Sequence, residues 1–268
     1  MITYRFAYRR AKSVKDAEAF FARAPDAKFV AGGQTLIPTM KMRLAQPSEL
    51  IDISGIEELN FIRTSGETLT IGSGTKHHDV AISSEVKRAI PAIAELAEGI
   101  GDPAVRNMGT LGGSLANNDP AADYPAAVLA LAATVKTTRR MIAADEFFTG
   151  MFSTALEDGE IVTEVSFPIP ERAAYVKFPN PASRYALAGV FVAKSRNGVR
   201  LAVTGAGPGV FRVPEMEMAL TKNFQPRAIA GVKIPADDLN SDIHASAEYR
   251  AHLVSVMAKR AVEAALVA

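Results

Sequence analysis

The sequence contains no cysteine and no tryptophan. Within these residues the missing thiols exclude disulfides, Cys-ligated zinc, an iron–sulfur cluster held by this chain alone and a thiol nucleophile. Without Trp, aromatic stacking falls to Phe and Tyr. An excess of one charge is also lacking: 30 Lys+Arg face 29 Asp+Glu, for a formal net charge of +1. Such a chain has no overall field to draw in a polyanion, and no nucleic acid partner is expected. No apolar run approaches the ~18 residues of a transmembrane helix. The opening MITYRFAYRR has no apolar core of signal-peptide length. A cytoplasmic protein is therefore expected. No His/Asp/Glu pattern suggests a metal site.

What is present suits a globular protein. Hydrophobic residues make up 48% and charged residues 22% of 268 residues, which argues against disorder and allows one large core or two smaller ones. Ser13, with Asp16 near the positive dipole end, predicts a helix start, with Ala17, Phe20 and Phe21 on its buried face. Short strands are predicted at 28–30 and 50–53. Between them Leu36, Met40 and Leu44 recur at helical spacing, so the first 55 residues read strand–helix–strand. Further strands are predicted at 68–71, 134–138 and 161–167, and helices at 84–98 and 124–131. Pro168 and Pro170 mark a boundary. Beyond it, strands at 174–178, 186–194 and 199–204, with an Asn197-Gly198 turn, precede helices at 215–221 and 247–266. In the last helix Tyr249, Leu253, Val256, Met257 and Val262 trace the apolar face.

Two glycine segments stand out. The first, Ala31-Gly32-Gly33-Gln34-Thr35, lies between a strand and a helix. The second runs Asn107-Met-Gly-Thr-Leu-Gly-Gly-Ser-Leu-Ala-Asn-Asn118 and leads to Asp119-Pro-Ala-Ala-Asp123. Glycines let the backbone approach a ligand closely, and successive N–H groups then form an anion nest. Hydroxyls at Thr35, Thr110 and Ser114 add donors for phosphate oxygens. Neither segment is a Rossmann fingerprint or a P-loop. Spacing alone therefore gives a phosphate-bearing ligand, against the plainer reading of two tight turns.

The two segments together resemble the FAD motifs of the molybdenum hydroxylase flavoprotein family. The matching stretches are Ala31-Gly-Gly-Gln-Thr-Leu-Ile-Pro-Thr-Met-Lys-Met-Arg-Leu-Ala45 and Arg106-Asn-Met-Gly-Thr-Leu-Gly-Gly-Ser-Leu-Ala116 with Asp119-Pro-Ala-Ala-Asp123. The family includes the medium subunit of aerobic carbon monoxide dehydrogenase and the FAD domain of xanthine dehydrogenase. The resemblance spans nearly the whole chain and is nearer to the separate medium subunit. It implies an α+β fold: a two-subdomain FAD-binding fold of the vanillyl alcohol oxidase type (1–55 and 56–167) plus a C-terminal α+β flavoprotein domain (168–268). It implies one non-covalent FAD, its pyrophosphate cradled by Ala31, Gly32, Gly33, Gln34 and Thr35 and by Thr110, Gly112, Gly113 and Ser114, with Leu36, Ala116 and Asn117 also binding the cofactor. Asp123 would hold ribitol or ribose hydroxyls. Thr75 and His77 would lie near the isoalloxazine, and Tyr185 beside it. Gln34 and Thr35 depart from the family's usual His or Asn and Ser, yet keep a polar group and a hydroxyl.

The resemblance further implies partners: a large subunit with the molybdenum cofactor and a small subunit with [2Fe-2S] clusters, in a dimer of heterotrimers. The chain would pass electrons from those clusters through FAD to a terminal acceptor. Two other readings stand beside it, a self-contained FAD-dependent oxidase or dehydrogenase and a flavin-free assembly or scaffold protein. Among single residues, His77 and His78 read either as flavin-lining or as solvent-facing at a helix start, and His244 and His252 as surface or packing. Asp119 reads as a turn cap, and Met40, Met42, Met141 and Met151 as packing.

Overall fold

In the computed structural model, which describes residues 2–24 and 26–267, three main sheets follow one another along the chain, beside a two-stranded hairpin. The first is parallel and small. Strands β1 (Ala7–Arg10), β2 (Lys28–Val30) and β3 (Glu49–Asp52) are ordered β1-β3-β2. Helix α1 (Val14–Phe21) crosses from β1 to β2, and α2 (Leu36–Lys41) from β2 to β3. The Ser13 side chain accepts from the Asp16 N–H and caps α1, an interaction that typically contributes ~1 kcal/mol. Ala17 is buried, while Phe20 and Phe21 are only partly so. Leu44 lies beyond the end of α2 and is exposed.

The second sheet has five antiparallel strands: β4 (Ile62–Ser65), β5 (Thr68–Gly72), β6 (Thr134–Thr137), β7 (Met141–Ala143) and, below, β10. Between β5 and β6 come six helices: α3 (His77–Ile82), α4 (Ser84–Ala89), α5 (Pro91–Glu98), α6 (Pro103–Arg106), α7 (Leu111–Asn117) and α8 (Tyr124–Ala130). The single helix expected over 84–98 is thus two. Pro91 has no N–H to continue α4, and Ile90 turns extended at φ −144° before Pro91 opens α5. After β7 follow α9 (Ala144–Phe147), the hairpin of β8 (Phe148–Gly150) and β9 (Ser153–Thr154), and β10 (Val162–Pro168). The core between sheet and helices centres on Leu69, Ile71, Ile93, Leu115, Tyr124, Val165 and Phe167.

The third sheet is antiparallel: β11 (Arg172–Pro179), β12 (Ala186–Ser195), β13 (Gly198–Thr204) and β14 (Phe211–Arg212) in that order. Helices α10 (Pro214–Lys222) and α11 (Ala247–Val267) pack on it. The buried face of α11 differs from the expected one. Leu253, Met257 and Val262 are buried with Arg250, Val254, Ala258, Ala261 and Ala265, whereas Tyr249 is exposed and Val256 is half-buried. The Arg250 guanidinium donates to the carbonyls of Leu187 and Gly205 and to Asp242. That set of partners accounts for a charge inside the helix–sheet interface. Among the described residues no helix is long and apolar enough to cross a membrane, and no group of three or more His, Asp or Glu could hold a metal ion.

Candidate functional site

A cleft of about 840 Å³ runs between the first two units, with one wall from the third. β2 delivers residues 31–36 to it. Gly33 takes φ +67°, a left-handed value that favours glycine, and the chain turns into α2. Ala31, Gly32, Gly33, Gln34, Thr35 and Leu36 all line the cleft. Among the described residues, the main-chain N–H groups of residues 32–36 find no protein acceptor. Thr35, at the start of α2, makes no capping bond, so its hydroxyl is free as well. Unpaired donors gathered on one concave strip are what a bound anion would satisfy.

The second glycine segment is sewn to the stretch after β5. Gly112 N–H donates to Ser73 O, Leu111 N–H to Thr75 O, and His77 N–H to Gly109 O. Gly112 is buried so tightly that a Cβ would sit 2.5 Å from that of Ser73. Thr110 lines the cleft and its oxygen accepts from the Gly113 N–H at 3.1 Å, which leaves its own O–H to donate. Gly113 and Ala116 are exposed, and both line the cleft with Ser114 and Asn117. The two glycine segments touch: a Cβ on Gly32 would overlap Met108 O and lie 2.7 Å from Gly109 Cα.

At one end the cleft is polar. Asp123, just before α8, is buried, and its carboxylate accepts from Tyr175 and from Lys177 Nζ at 3.0 and 3.1 Å. Tyr175 and Lys177 are two apart on β11 and therefore share a face. Lys177 also donates to Gly99 O at 2.9 Å. Burial pushes the Asp123 carboxyl above the usual carboxylate range, with Lys177 and the Tyr175 hydroxyl pulling the other way. Burial, followed by the Asp123 charge, raises the Tyr175 phenol. The loop 180–185 closes this end. Asn180 Oδ1 accepts from the N–H groups of Ala182 and Ser183, and Asn180 N–H donates to Tyr185 O. Tyr185 is half-exposed at the rim. Elsewhere Phe21 and Phe29, stacked at 5.2 Å, line the cleft with Ile53, Leu59 and Ile161, and beside them Glu157, Asp158 and Glu160 line it too.

His77 is buried and lines the cleft. Among the described residues its Nδ1 has no partner, and its ring lies 5.4 Å from that of Tyr124, whose hydroxyl is equally unpartnered there. Burial first, then the Arg106 charge, lowers its pKa to about 4, so the imidazole is neutral at pH 7. His78 is only half-buried, and His244 and His252 are exposed.

Every expected site residue except Thr75 lines this one cleft. Thr75 is instead buried, its hydroxyl donating to Phe61 O at 3.2 Å. Tyr175 and Lys177, which do not line the cleft themselves but hold the cleft-lining Asp123, were not legible as its partners. A Tyr-x-Lys pair in an otherwise apolar strand was their only trace. Asp119 caps a turn through the Ala121 N–H, as its position before Pro120 suggests. The methionines depart from expectation: Met40 is buried, but Met42, Met141 and Met151 are exposed, since they fall at a helix end, on an edge strand and at a hairpin tip.

The chain matches the family model "FAD binding domain in molybdopterin dehydrogenase" over residues 4–170. It is 38% identical to the carbon monoxide dehydrogenase medium chain of Hydrogenophaga pseudoflava, covering 99% of this chain and 98% of that one. It is also 38% identical to the nicotine 6-hydroxylase medium subunit of Paenarthrobacter nicotinovorans, covering 95% of each. The fold superimposes on a chain of the quinoline 2-oxidoreductase crystal structure from Pseudomonas putida 86 with a TM-score of 0.92, at 29% identity, over 99% of this chain and 98% of that one. With its two glycine segments meeting in a cleft of donors, the chain belongs to the family of FAD-binding medium subunits of the molybdenum hydroxylases, a group of oxidoreductases.

Proposed function

We propose that this chain holds FAD in the cleft and passes electrons between [2Fe-2S] clusters on a small partner subunit and a terminal acceptor. A large partner subunit with the molybdenum cofactor would oxidise the substrate, within a dimer of heterotrimers in the cytoplasm. The observation that carries this reading is the contact of Gly32 with Met108, which brings two donor-rich loops to one point. The unpaired N–H groups of 32–36 and the hydroxyls of Thr35, Thr110 and Ser114 would take the pyrophosphate from two sides. Asp123 would accept from a hydroxyl of the ribitol or ribose. The part with His77, Ser183 and Tyr185 suits the isoalloxazine, and the apolar side chains of Phe29, Ile53 and Ile161 suit the adenine.

When bound, FAD supplies an exchange between one-electron and two-electron transfer, which is what a relay between clusters and a two-electron acceptor requires. The protein's own contribution is binding, orientation and exclusion of water. Substrate names differ among the relatives, from carbon monoxide to nicotine, which supports placing substrate choice on another subunit. The test is purification of the chain from its host under mild conditions. Flavin absorbance, stoichiometric FAD and two co-purifying subunits carrying iron and molybdenum are expected. A folded chain that takes up no FAD overturns the reading, and turnover by this chain alone would make it a self-contained oxidase.

A further inference from the structure

The third sheet places a charge behind the cleft-lining Asp123. Lys177 sits on β11 with its side chain 12% exposed. All three of its N–H donors are used, on Asp123 Oδ1, Asp123 Oδ2 and Gly99 O. These partners belong to two separate walls of the second unit. Gly99 opens the loop whose next residues, Ile100, Gly101 and Asp102, line the cleft, and Asp123 lines it directly. The Arg106 guanidinium holds the same loop from the other side, through Ile100 O and Gly101 O. Asp123 Oδ1 accepts from both Tyr175 and Lys177, and Oδ2 from Lys177. A carboxylate has about four lone-pair sites, so with three bonds accepted some acceptor capacity remains on this cleft-lining residue.

Resting on the FAD reading above, we propose that Lys177 is a positioning residue: it keeps Asp123 a charged acceptor facing the cleft and fixes the 99–102 wall opposite. Without a counter-charge, a carboxyl as buried as Asp123 takes up a proton rather than stay ionised. It would then present a donor where the ligand needs an acceptor. The other groups facing Asp123 cannot replace the lysine. Tyr124 is a buried phenol and Tyr175 a partly buried one, Tyr185 stands at the rim, and Asp119 carries the same charge.

The experiment titrates FAD into the flavin-stripped full chain at several pH values, following flavin fluorescence, with circular dichroism as the fold control. Wild type is expected to bind with little dependence on pH between about 6 and 9, the range in which a buried, unpaired carboxyl titrates. Lys177→Met is expected to bind at least about tenfold more weakly near pH 6 and to recover as pH rises. Lys177→Arg should restore most of the affinity and a flat profile. The double variant Lys177→Met/Asp123→Asn should be weak and flat. If Lys177→Met does not fold, Lys177→Gln, which keeps donors and drops only the charge, is read the same way. A Lys177→Met or Lys177→Gln profile as flat and tight as wild type overturns the proposal. Wild type that binds no FAD at all overturns the FAD reading instead.

Discussion

Gly189 on β12 leaves the space in which the Tyr175 hydroxyl reaches Asp123; a Cβ there would overlap that hydroxyl. Tyr175 and Gly189 lie on adjacent antiparallel strands. A glycine inside an apolar strand normally weakens it. Here it admits a phenol that ties the third sheet to the second unit. Gly189→Ala is expected to destabilise the chain by about 1–3 kcal/mol through overpacking and the displaced hydrogen bond. Tyr175→Phe should remove most of the sensitivity to that change. Urea denaturation of both single variants and the double variant checks this, and additive costs would argue against the coupling.

The two adjacent glycines of the second segment should separate folding from ligand binding. A Cβ on Gly112 meets the side chain and main chain of Ser73, whereas one on Gly113 meets only the Thr110 hydroxyl at 2.9 Å. Gly112→Ala is therefore expected to lower the melting temperature by several degrees, as a cost of roughly 1–3 kcal/mol would. Gly113→Val should leave the melting temperature of the apo chain near wild type and weaken FAD binding at least about tenfold. Thermal melts with and without FAD report both quantities.

His77 gives stability a pH dependence of known sign. Its folded pKa, about 4, lies below the ordinary 6.5. Between these values the unfolded chain binds the proton and the folded chain does not, so stability falls as pH drops from 6.5 towards 4. The full contribution is about 3 kcal/mol. Urea midpoints of wild type and His77→Gln should converge as pH is lowered through this window. Parallel curves would show that the imidazole is free to ionise in the folded chain.

Asn118 is a further point of leverage. It ends α7 in the left-handed region at φ +43° and is buried, and its amide donates to Gly150 O and Ser153 O at 2.8 and 2.7 Å. Asn tolerates that backbone at lower cost than Ala. Asn118→Ala is expected to cost about 2–4 kcal/mol, from two unpaired carbonyls and the strained φ. Hydrogen exchange should show the loss of protection concentrated in β8, β9 and the end of α7, rather than in the third sheet.

Local signals in the sequence reached a long way in some places. The Ser13 cap, the strand at 28–30 and the hairpin before Gly198 are each specified by neighbouring residues, and they fold accordingly. β1 was not legible. Ala7–Arg10 is exposed throughout, so it carries no apolar alternation, and pairing with β3 alone makes it a strand. α3 is six residues long and begins directly after the β5 loop, too short for a period to declare itself. The two glycine segments could be read as ligand loops, but their contact through Gly32 and Met108 depends on how the first two sheets meet. Lys177 is harder still. One lysine in a strand reads as a solvent-facing position, and its partners at 99 and 123 are set only by the packing of α5 against β11.

Because the cleft takes its walls from all three sheets, the chain resists modular exchange. A chimera joined near residue 170 would bring in a new lysine, tyrosine and rim loop while keeping the old aspartate and glycine loops. Its pieces could each fold well and still fail to meet around a shared guest. Successful grafts would need to carry 99–102 and 123 together with 175–185, as one unit of inheritance scattered along the chain.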